Sequence, residues 1–199
     1  FQVVATGRHS FEDESVKSRV ELFNVDFSDL NQTAEGIKKI CGIYNFDLVI
    51  NNAGVLGPPH FIITGDGLEY TFQVNFLSHL LVNEMIIRNK PEREKLMTAA
   101  VTSPVYRIAR PDMAFSFSER TYRPLKAYSD SKLLLAMMCS HLSERNKGSG
   151  STFISFNPGV FSSGIFRMQR QWFRIMYKIG APFMMNPGKA ALTLAKTIE

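Results

Sequence analysis

Short apolar runs alternate with segments of helical pattern along this chain, and that alternation is the feature that most limits its fold. Five runs have the composition of buried strands, and they cover residues 1–5, 20–25, 46–50, 96–103 and 152–156. Helical patterns cover residues 28–43, 68–88 and 122–145. Strands that alternate with such helices form right-handed parallel βαβ units. The sequence therefore predicts an α/β fold with an open, doubly wound parallel sheet.

The chain length and composition fit one globular domain. Of its 199 residues, 45% are hydrophobic, which is enough apolar material for a sizeable core. The chain has no internal repeat, no low-complexity tract and no apolar run of the roughly 18 residues that a membrane-spanning helix needs. We therefore predict a single domain over residues 1–199.

A tyrosine and a lysine stand four residues apart where a helical pattern begins. Tyr128 and Lys132 would therefore project from one face of that helix. A free phenol has a pKa near ~10, so acidity at neutral pH requires roughly 4 kcal/mol of help from a fixed cation. Lys132 is placed to supply much of that help, although the spacing taken alone also fits an ordinary solvated helix.

Polar residues and glycines lie at the C-terminal ends of several predicted strands. Asn51-Asn-Ala-Gly54, Ser103 and Asn157-Pro-Gly159 each end or follow such a strand, and Asn75 lies in the helical segment between the first two. The carboxyl ends of parallel strands share one edge of the sheet, where dinucleotides bind. We expect these residues to converge at that edge.

This ordered set, Asn-Asn-Ala-Gly, Asn, Ser, Tyr-x-x-x-Lys and Pro-Gly, resembles the short-chain dehydrogenase/reductase family, over nearly all of the chain. Residues 67–81 and the long stretch between Ser103 and Tyr128 are most similar to the branch of the retinol dehydrogenases and the WW-domain oxidoreductases. The resemblance implies a Rossmann-type sheet and an NAD(P)-dependent enzyme that interconverts an alcohol and a carbonyl.

The resemblance also implies a chemical role for each residue of the set. Tyr128 is the general acid in carbonyl reduction and the base in alcohol oxidation, and the nicotinamide carries the hydride. Lys132 lowers the phenol pKa and binds the nicotinamide ribose. Ser103, with Thr102 as the neighbouring alternative, holds the substrate oxygen, and Asn75 anchors a proton relay through water. Simpler interpretations stay open, since Ser103 could cap a loop and Asn75 could satisfy backbone groups at a helix break.

Arg8 decides the predicted choice of cofactor. It follows a strand where an acidic residue would bind the ribose diol of NAD, whereas a guanidinium suits a 2′-phosphate. We therefore expect NADP(H) in preference to NAD(H), with a merely solvated arginine as the alternative. Besides Arg8, Tyr128 and Lys132, the resemblance assigns cofactor contacts to Asp26, Asn52, Ala53, Gly54, Pro158, Gly159 and Ser163. For Asp26, a helix cap is an equally good interpretation.

The remaining ionisable residues argue against a metal and against nucleic acid. Cys41, Cys139 and the four histidines lack ligand spacing, so we predict no metal site and two reduced thiols, buried or half-buried. The formal net charge of +5 comes without a nucleic-acid-binding motif, and binding of an anionic cofactor explains part of it. We expect no nucleic-acid partner.

Both ends of the chain are expected to lie inside the family's domain. No glycine-rich phosphate turn precedes the strand at 1–5, and residues 189–199 stop within a helical pattern where the family continues to a further strand. The family's first strand would lie between the strands at 1–5 and 46–50, so its absence leaves two sheet edges unpaired. Buried unpaired backbone groups cost on the order of 1–3 kcal/mol each, so we expect this polypeptide not to fold stably alone.

Residues 166–179 have a strongly amphipathic pattern, with a narrow basic face opposite Met, Trp and Phe. The family places its substrate lid here, which favours a lipophilic substrate such as a retinoid or a steroid. A basic face with aromatic residues also fits a peripheral membrane contact. We expect the protein in the cytoplasm or on the cytosolic face of an intracellular membrane, and a homodimer through the apolar stripe of the helix at 122–145 stays open.

These features together predict a fragment of an NADP-dependent oxidoreductase that acts on a lipophilic alcohol or carbonyl compound. The alternative is a noncatalytic, truncated variant that acts through contacts with a partner or a membrane surface. Asn75, Ser103, Tyr128 and Lys132 are all present, which favours the oxidoreductase.

Overall fold

Five parallel strands form the framework of the computed structural model, which describes residues 2–11, 13–90, 95–111, 118–159 and 186–198. The strands are β1 (Val3–Gly7), β2 (Val20–Asn24), β3 (Leu48–Asn51), β4 (Met97–Val101) and β5 (Thr152–Phe156). All five lie at the apolar runs predicted from the sequence, with β1 displaced towards the C-terminus. The predicted α/β class with parallel strands is confirmed.

The helices of the described residues also follow the predicted segments. They are α1 (Glu14–Lys17), α2 (Leu30–Cys41), α3 (Tyr70–Phe72), α4 (Ser78–Asn89), α5 (Pro124–Arg145) and α6 (Pro187–Ile198). A π-helical segment, Gln73–Leu77, joins α3 to α4, and a 3₁₀ helix, Pro104–Ile108, follows β4. Helix α2 begins after Asp29, which caps it, because a carboxylate oxygen of Asp29 accepts the backbone N–H of Gln32 at 2.9 Å.

The strands form two sheets and not the single sheet that a complete fold of this class would have. β1 pairs with β2, while β4 lies between β3 and β5, and every pairing is parallel. Among the described residues, β1 and β3 each have one edge without a partner strand. Val3 of β1 and Ile50 of β3 are 47% and 45% exposed, which is unusual for β-branched residues of a parallel sheet. This break lies where the sequence predicts a missing strand.

Helices α2 and α4 hold the two sheets together through a shared apolar core. Buried side chains from the β2–α2 side pack against side chains of the π segment, α4 and the start of β4. They include Val25, Phe27, Ile37, Ile40, Val55, Val74, Val82, Ile86 and Leu96. The strand ends are therefore positioned by helix packing on one face, although β1 and β3 do not pair.

Helix α5 packs on the second sheet, which consists of β3, β4 and β5. Its buried residues Leu135, Met138 and Leu142 contact Ala100 of β4 and Phe153 of β5. Met137, on the apolar stripe of the same helix, is 44% exposed and turns away from this core. Cys139 is buried and Cys41 is half-buried, as the sequence predicted for two free thiols.

Several predictions concern residues beyond the described ranges. The amphipathic segment 166–179 and Ser163 lie outside them. The lid, the membrane contact and the role of Ser163 therefore stay predictions. Among the helices that the structure describes, none combines the length and the apolar character that crossing a membrane requires.

We predict that the 199-residue polypeptide, produced by itself, lacks a cooperative thermal unfolding transition. Its open edges leave side chains such as Val3 and Ile50 in water, and burying one such side chain contributes ~1.5–3 kcal/mol. Losing several of these is large against a net stability of ~5–15 kcal/mol. Far-ultraviolet circular dichroism during heating measures the transition, and a sharp cooperative melt would contradict the prediction.

Candidate active site

The predicted catalytic residues come together at the carboxyl ends of β3 and β4. Ser103 follows β4, the turn from Asn51 to Gly54 follows β3, and Tyr128 and Lys132 reach the same place from α5. An ideal Cβ built on Gly54 would lie 3.2 Å from Lys132 Nζ and 3.4 Å from Asn75 Oδ1. Glycine is therefore the residue that lets the turn approach the lysine this closely.

Lys132 carries the most deeply buried ammonium group of this site. It is 3% exposed, and its Nζ donates a hydrogen bond to the carbonyl oxygen of Val101, the last residue of β4, at 2.9 Å. Burial disfavours the charged form and lowers the pKa of Lys132 to about 8. The amine is thus fixed at the strand end and can exchange a proton near neutral pH.

The hydroxyl group of Ser103 lies on the side of the site that faces the Tyr128 phenol. Burial raises the pKa of the Tyr128 phenol, and the neighbouring Ser103 hydroxyl offsets this rise only in part. The predicted depression of this pKa by Lys132 is therefore wrong for this geometry. The lysine Nζ lies over the tyrosine ring, 5.9 Å from its centroid, and points to the Val101 carbonyl instead of the phenol oxygen.

The hydroxyl group of Ser103 is the one that faces the tyrosine. Thr102, the neighbouring alternative, is buried and donates its hydroxyl to the carbonyl oxygen of Phe156 at 3.0 Å. Ser103 precedes the 3₁₀ helix Pro104–Ile108, but its side chain makes no capping hydrogen bond to it. The simpler interpretation of Ser103 as a loop cap is therefore wrong.

Asn75 lies in the π-helical segment, a type of irregularity that is frequent at functional sites. Its side chain is fully buried, and both the oxygen and the nitrogen of its amide form hydrogen bonds to Val55, in the loop that follows Gly54. The amide nitrogen donates to the carbonyl oxygen of Val55 at 2.8 Å and to Ser131 Oγ at 3.0 Å, and Oδ1 accepts the N–H of Val55 at 2.8 Å. The side chain thus satisfies backbone groups of another loop and not of its own helix, and the proton-relay role stays a prediction.

Sequence analysis missed two further side chains that hold the turn after β3. His79 is buried, and its pKa falls to about 4 because burial disfavours the imidazolium, so its neutral ring donates Nε2–H to the carbonyl oxygen of Ala53 at 2.8 Å. Asn83 donates to Asn51 Oδ1 at 3.1 Å. Their spacing could have identified them. Asn75, His79 and Asn83 stand four residues apart in one predicted helical segment, which places the three polar side chains on the same face.

Arg8 and Asp26 lie beside each other at the ends of the first sheet. Arg8 Nη1 is 3.8 Å from Asp26 Oδ2 and 3.5 Å from the hydroxyl of Tyr70, so Arg8 is not merely solvated. Asp26 Oδ1 accepts the backbone N–H of Ser28 at 2.9 Å and closes the turn before α2. The helix cap is Asp29, so the interpretation of Asp26 as the cap is wrong.

The remaining predicted cofactor residues form the rim of the same edge. The Asn52 side chain and Ala53 are exposed, and Asn52 N–H donates to the carbonyl oxygen of Ile50 at 3.0 Å in a tight turn. Pro158 is buried, and Gly159 has a φ of 77°, a left-handed conformation that favours glycine. Within the described ranges, no group of three or more His, Cys, Asp or Glu side chains could hold a metal ion.

A cavity of about 280 Å³ lies on another face of α5. Phe61, Glu69, Phe72, Tyr122 and Leu134 are among its lining residues, whereas Ser103, Tyr128 and Lys132 are not. On a helix, Leu134 lies well over 90° around the axis from both Tyr128 and Lys132. This cavity therefore adjoins the candidate active site, because Ser131, the partner of Asn75, also lines it, while the predicted catalytic side chains lie on another face of α5.

No family model matches the chain. The chain is 30% identical over 149 residues to retinol dehydrogenase 13 of Homo sapiens, a match that covers 74% of this chain and 45% of the relative. It is 27% identical over 196 residues to the WW domain-containing oxidoreductase of Drosophila melanogaster, covering 95% of this chain and 47% of the relative. The chain belongs to the short-chain dehydrogenase/reductase family. It spans about half the length of the curated relatives that it matches.

Solved structures agree with the fold of this short-chain dehydrogenase/reductase. A short-chain dehydrogenase from Sphingobium yanoikuyae in complex with NADPH superimposes with a TM-score of 0.65 at 16% identity, covering 83% of this chain and 64% of that one. At this identity the likeness concerns the fold alone. The resemblance to the family and to its retinol dehydrogenase branch is confirmed, while the roles of individual site residues stay predictions.

We predict that Lys132→Met stabilises the intact protein at pH 7. Because burial lowers the pKa of Lys132 to about 8, keeping the ammonium charged in the folded state costs about 3 kcal/mol. That cost is present in full below pH 8 and disappears as pH rises to the ordinary pKa of 10.5. Urea unfolding should therefore give a more stable variant at pH 7 and converging stabilities between pH 8 and 10.5.

The matched control for this test is Lys126→Met on the same helix. The Lys126 side chain is 49% exposed; its ammonium pairs with Asp130, which is 14% exposed, and donates to the carbonyl oxygen of Arg110 at 2.7 Å. A partly exposed ion pair and one hydrogen bond contribute roughly 1–2 kcal/mol together, so this variant should be less stable than the original protein at pH 7, opposite to Lys132→Met. Equal stability of Lys132→Met and the original protein at pH 7 would refute a burial cost at Lys132.

Proposed function

We infer that this protein is an NADP(H)-dependent oxidoreductase that interconverts an alcohol and a carbonyl group on a lipophilic substrate. The observation that carries this proposal is the convergence of Ser103, Tyr128 and Lys132 beside Gly54 at the carboxyl edge of a parallel sheet. Such an edge is where dinucleotides bind in open α/β folds. Membership of a family with relatives named dehydrogenases and oxidoreductases supports an enzyme over a noncatalytic protein.

The residues at this edge fit the nicotinamide half of a dinucleotide. Gly54 leaves a space next to Lys132 that a Cβ would fill. An ammonium group has three N–H donors, and among the described residues the Val101 carbonyl takes one, so the others are available to the hydroxyl groups of a ribose. When bound, the nicotinamide supplies or accepts the hydride.

Tyr128 and Ser103 act together on the substrate oxygen. In the reductive direction, the Tyr128 hydroxyl donates its proton to the carbonyl oxygen, and the neighbouring Ser103 hydroxyl donates a hydrogen bond to the same oxygen. Because the pKa of Tyr128 is raised, the phenol is protonated at neutral pH and ready to donate. Lys132, with a pKa of about 8, can gain or lose a proton near neutral pH at the same strand end. Alcohol oxidation requires the phenolate, so higher pH favours that direction.

The choice of a lipophilic alcohol or aldehyde as substrate rests on the relatives and on the sequence. The human relative is named for retinol, a long apolar alcohol. The amphipathic segment 166–179, which the family resemblance assigns to the lid, carries Met, Trp and Phe that suit such a molecule. Peripheral membrane contact, a homodimer and a location at the cytosolic face of a membrane are further predictions that depend on the same segment or on surfaces outside the site.

We predict that Tyr128→Phe in the intact protein abolishes turnover and leaves cofactor binding unchanged. Phenylalanine keeps the ring and removes the proton donor, so the chemical step loses its acid while the dinucleotide site keeps its shape. Turnover of all-trans-retinal with NADPH measures the first effect, and fluorescence titration with NADPH measures the second.

The control for Tyr128→Phe is Tyr122→Phe. Tyr122 also stands near the start of α5, and its hydroxyl donates to the carbonyl oxygen of Pro58 at 2.9 Å, away from Ser103 and Lys132. Its removal should cost ~1 kcal/mol of stability and leave turnover within about twofold. Undiminished turnover in Tyr128→Phe would overturn the assignment of the acid.

We predict that Arg8→Leu raises KM for NADPH roughly ten- to a hundredfold and changes KM for NADH much less. A guanidinium that binds a 2′-phosphate contributes ~1.5–3 kcal/mol through charge-assisted hydrogen bonds, whereas NADH lacks that phosphate. Arg19→Leu is the control, because Arg19 is also an exposed arginine near the first sheet. Equal changes for the two cofactors in Arg8→Leu would remove the basis for NADP(H) preference and leave the oxidoreductase assignment intact.

A further inference from the structure

Ser131 lies on α5 between the two residues of the Tyr-x-x-x-Lys pair. Its side chain is 1% exposed. The hydroxyl accepts a hydrogen bond from Asn75 Nδ2 at 3.0 Å and donates one to the backbone carbonyl oxygen of Tyr128 at 2.8 Å. A single oxygen therefore links the π segment to the helical turn that carries the phenol.

The bond between Asn75 and Ser131 completes the hydrogen bonding of a buried amide. Asn75 Nδ2 has two N–H bonds, and the Val55 carbonyl takes one while Ser131 takes the other. Oδ1 of the same amide accepts from the Val55 N–H. Without the Ser131 hydroxyl, one N–H of Asn75 would be buried without a partner, and α5 would lose its bond to the amide that holds the loop after Gly54.

Ser129 shows what a serine on this helix does without that link. It is also 1% exposed, and its hydroxyl donates to the carbonyl oxygen of Lys126 at 3.0 Å, three residues earlier, as Ser131 does to Tyr128. Such bonds to the preceding turn are common in helices and imply no special role. The bond from Asn75 is the feature that distinguishes Ser131.

We propose that Ser131 is a positioning residue for Tyr128. It fixes the turn of α5 that carries the phenol relative to the loop that carries Gly54, so that the hydroxyl of Tyr128 stays against Ser103 and the amine of Lys132 stays beside Gly54. The kinetic part of this proposal rests on the proposed oxidoreductase function. A catalytic group displaced by a fraction of an ångström to 1 Å loses about ten- to a hundredfold in rate.

The kinetic test compares Ser131→Ala, Ser129→Ala and Ser131→Thr in the intact protein, with NADPH and all-trans-retinal. Ser131→Ala should lower kcat about tenfold and leave KM for NADPH within twofold, because the tyrosine turn moves while the binding groups remain. Ser129→Ala removes the same kind of helical bond and should leave kcat within twofold. Ser131→Thr retains the hydroxyl and should recover most of the loss. Equal kcat values for Ser131→Ala and Ser129→Ala overturn the proposal.

A second measurement does not depend on activity. The ring resonances of ¹³C-labelled tyrosine report the position of Tyr128, with the Tyr128 signal assigned by its loss in Tyr128→Phe. This signal should shift in Ser131→Ala and in Asn75→Ala, should shift no further in the double variant, and should stay in place in Ser129→Ala. An unchanged signal in Ser131→Ala overturns the positioning role. If the unsubstituted protein shows no turnover, the oxidoreductase proposal fails and the resonance still decides the role of Ser131.

Discussion

The buried amide of Asn75 is the interaction on which the rest of the site depends. Its hydrogen bonds to Val55 and Ser131 join the loop after β3, the π segment and α5, which are far apart in the chain. A buried amide that loses a partner costs ~1–3 kcal/mol, so this arrangement is strongly preferred over looser ones. The close approach of Gly54 to Lys132 follows from it, because the same loop carries the glycine.

Burial shifts the pKa values of the two main ionisable residues of the site in opposite directions. It lowers the pKa of Lys132 and raises that of Tyr128, because a weakly polar surrounding penalises the cation and the phenolate alike. The ammonium is kept at the strand end at a cost in stability, a pattern common at functional sites. The same burial keeps the phenol protonated, which is the form that donates to a carbonyl oxygen.

Much of the fold and part of the site could be predicted from local pattern. Apolar runs and helical periodicity identified β1 to β5, α2, α4 and α5, because these elements depend on residues close in sequence. Tyr128 and Lys132 share a face of α5 because they stand four residues apart. The pKa of Tyr128 could not be predicted, since its direction depends on burial and on where Lys132 Nζ points. The contacts of Arg8 and Asp26 likewise join separate strands.

The amino-acid sequence by itself determined the order of strands and helices, the polar residues at the strand ends and membership of the short-chain dehydrogenase/reductase family. Tertiary structure alone decided that Ser103 and not Thr102 faces the phenol, that His79 holds Ala53, and that Ser131 bonds Asn75 across 56 residues of chain. The physical reason is the distance along the chain over which each interaction acts. Periodicity and capping act within a few residues, whereas burial and hydrogen-bond partners exist only once distant segments have packed together.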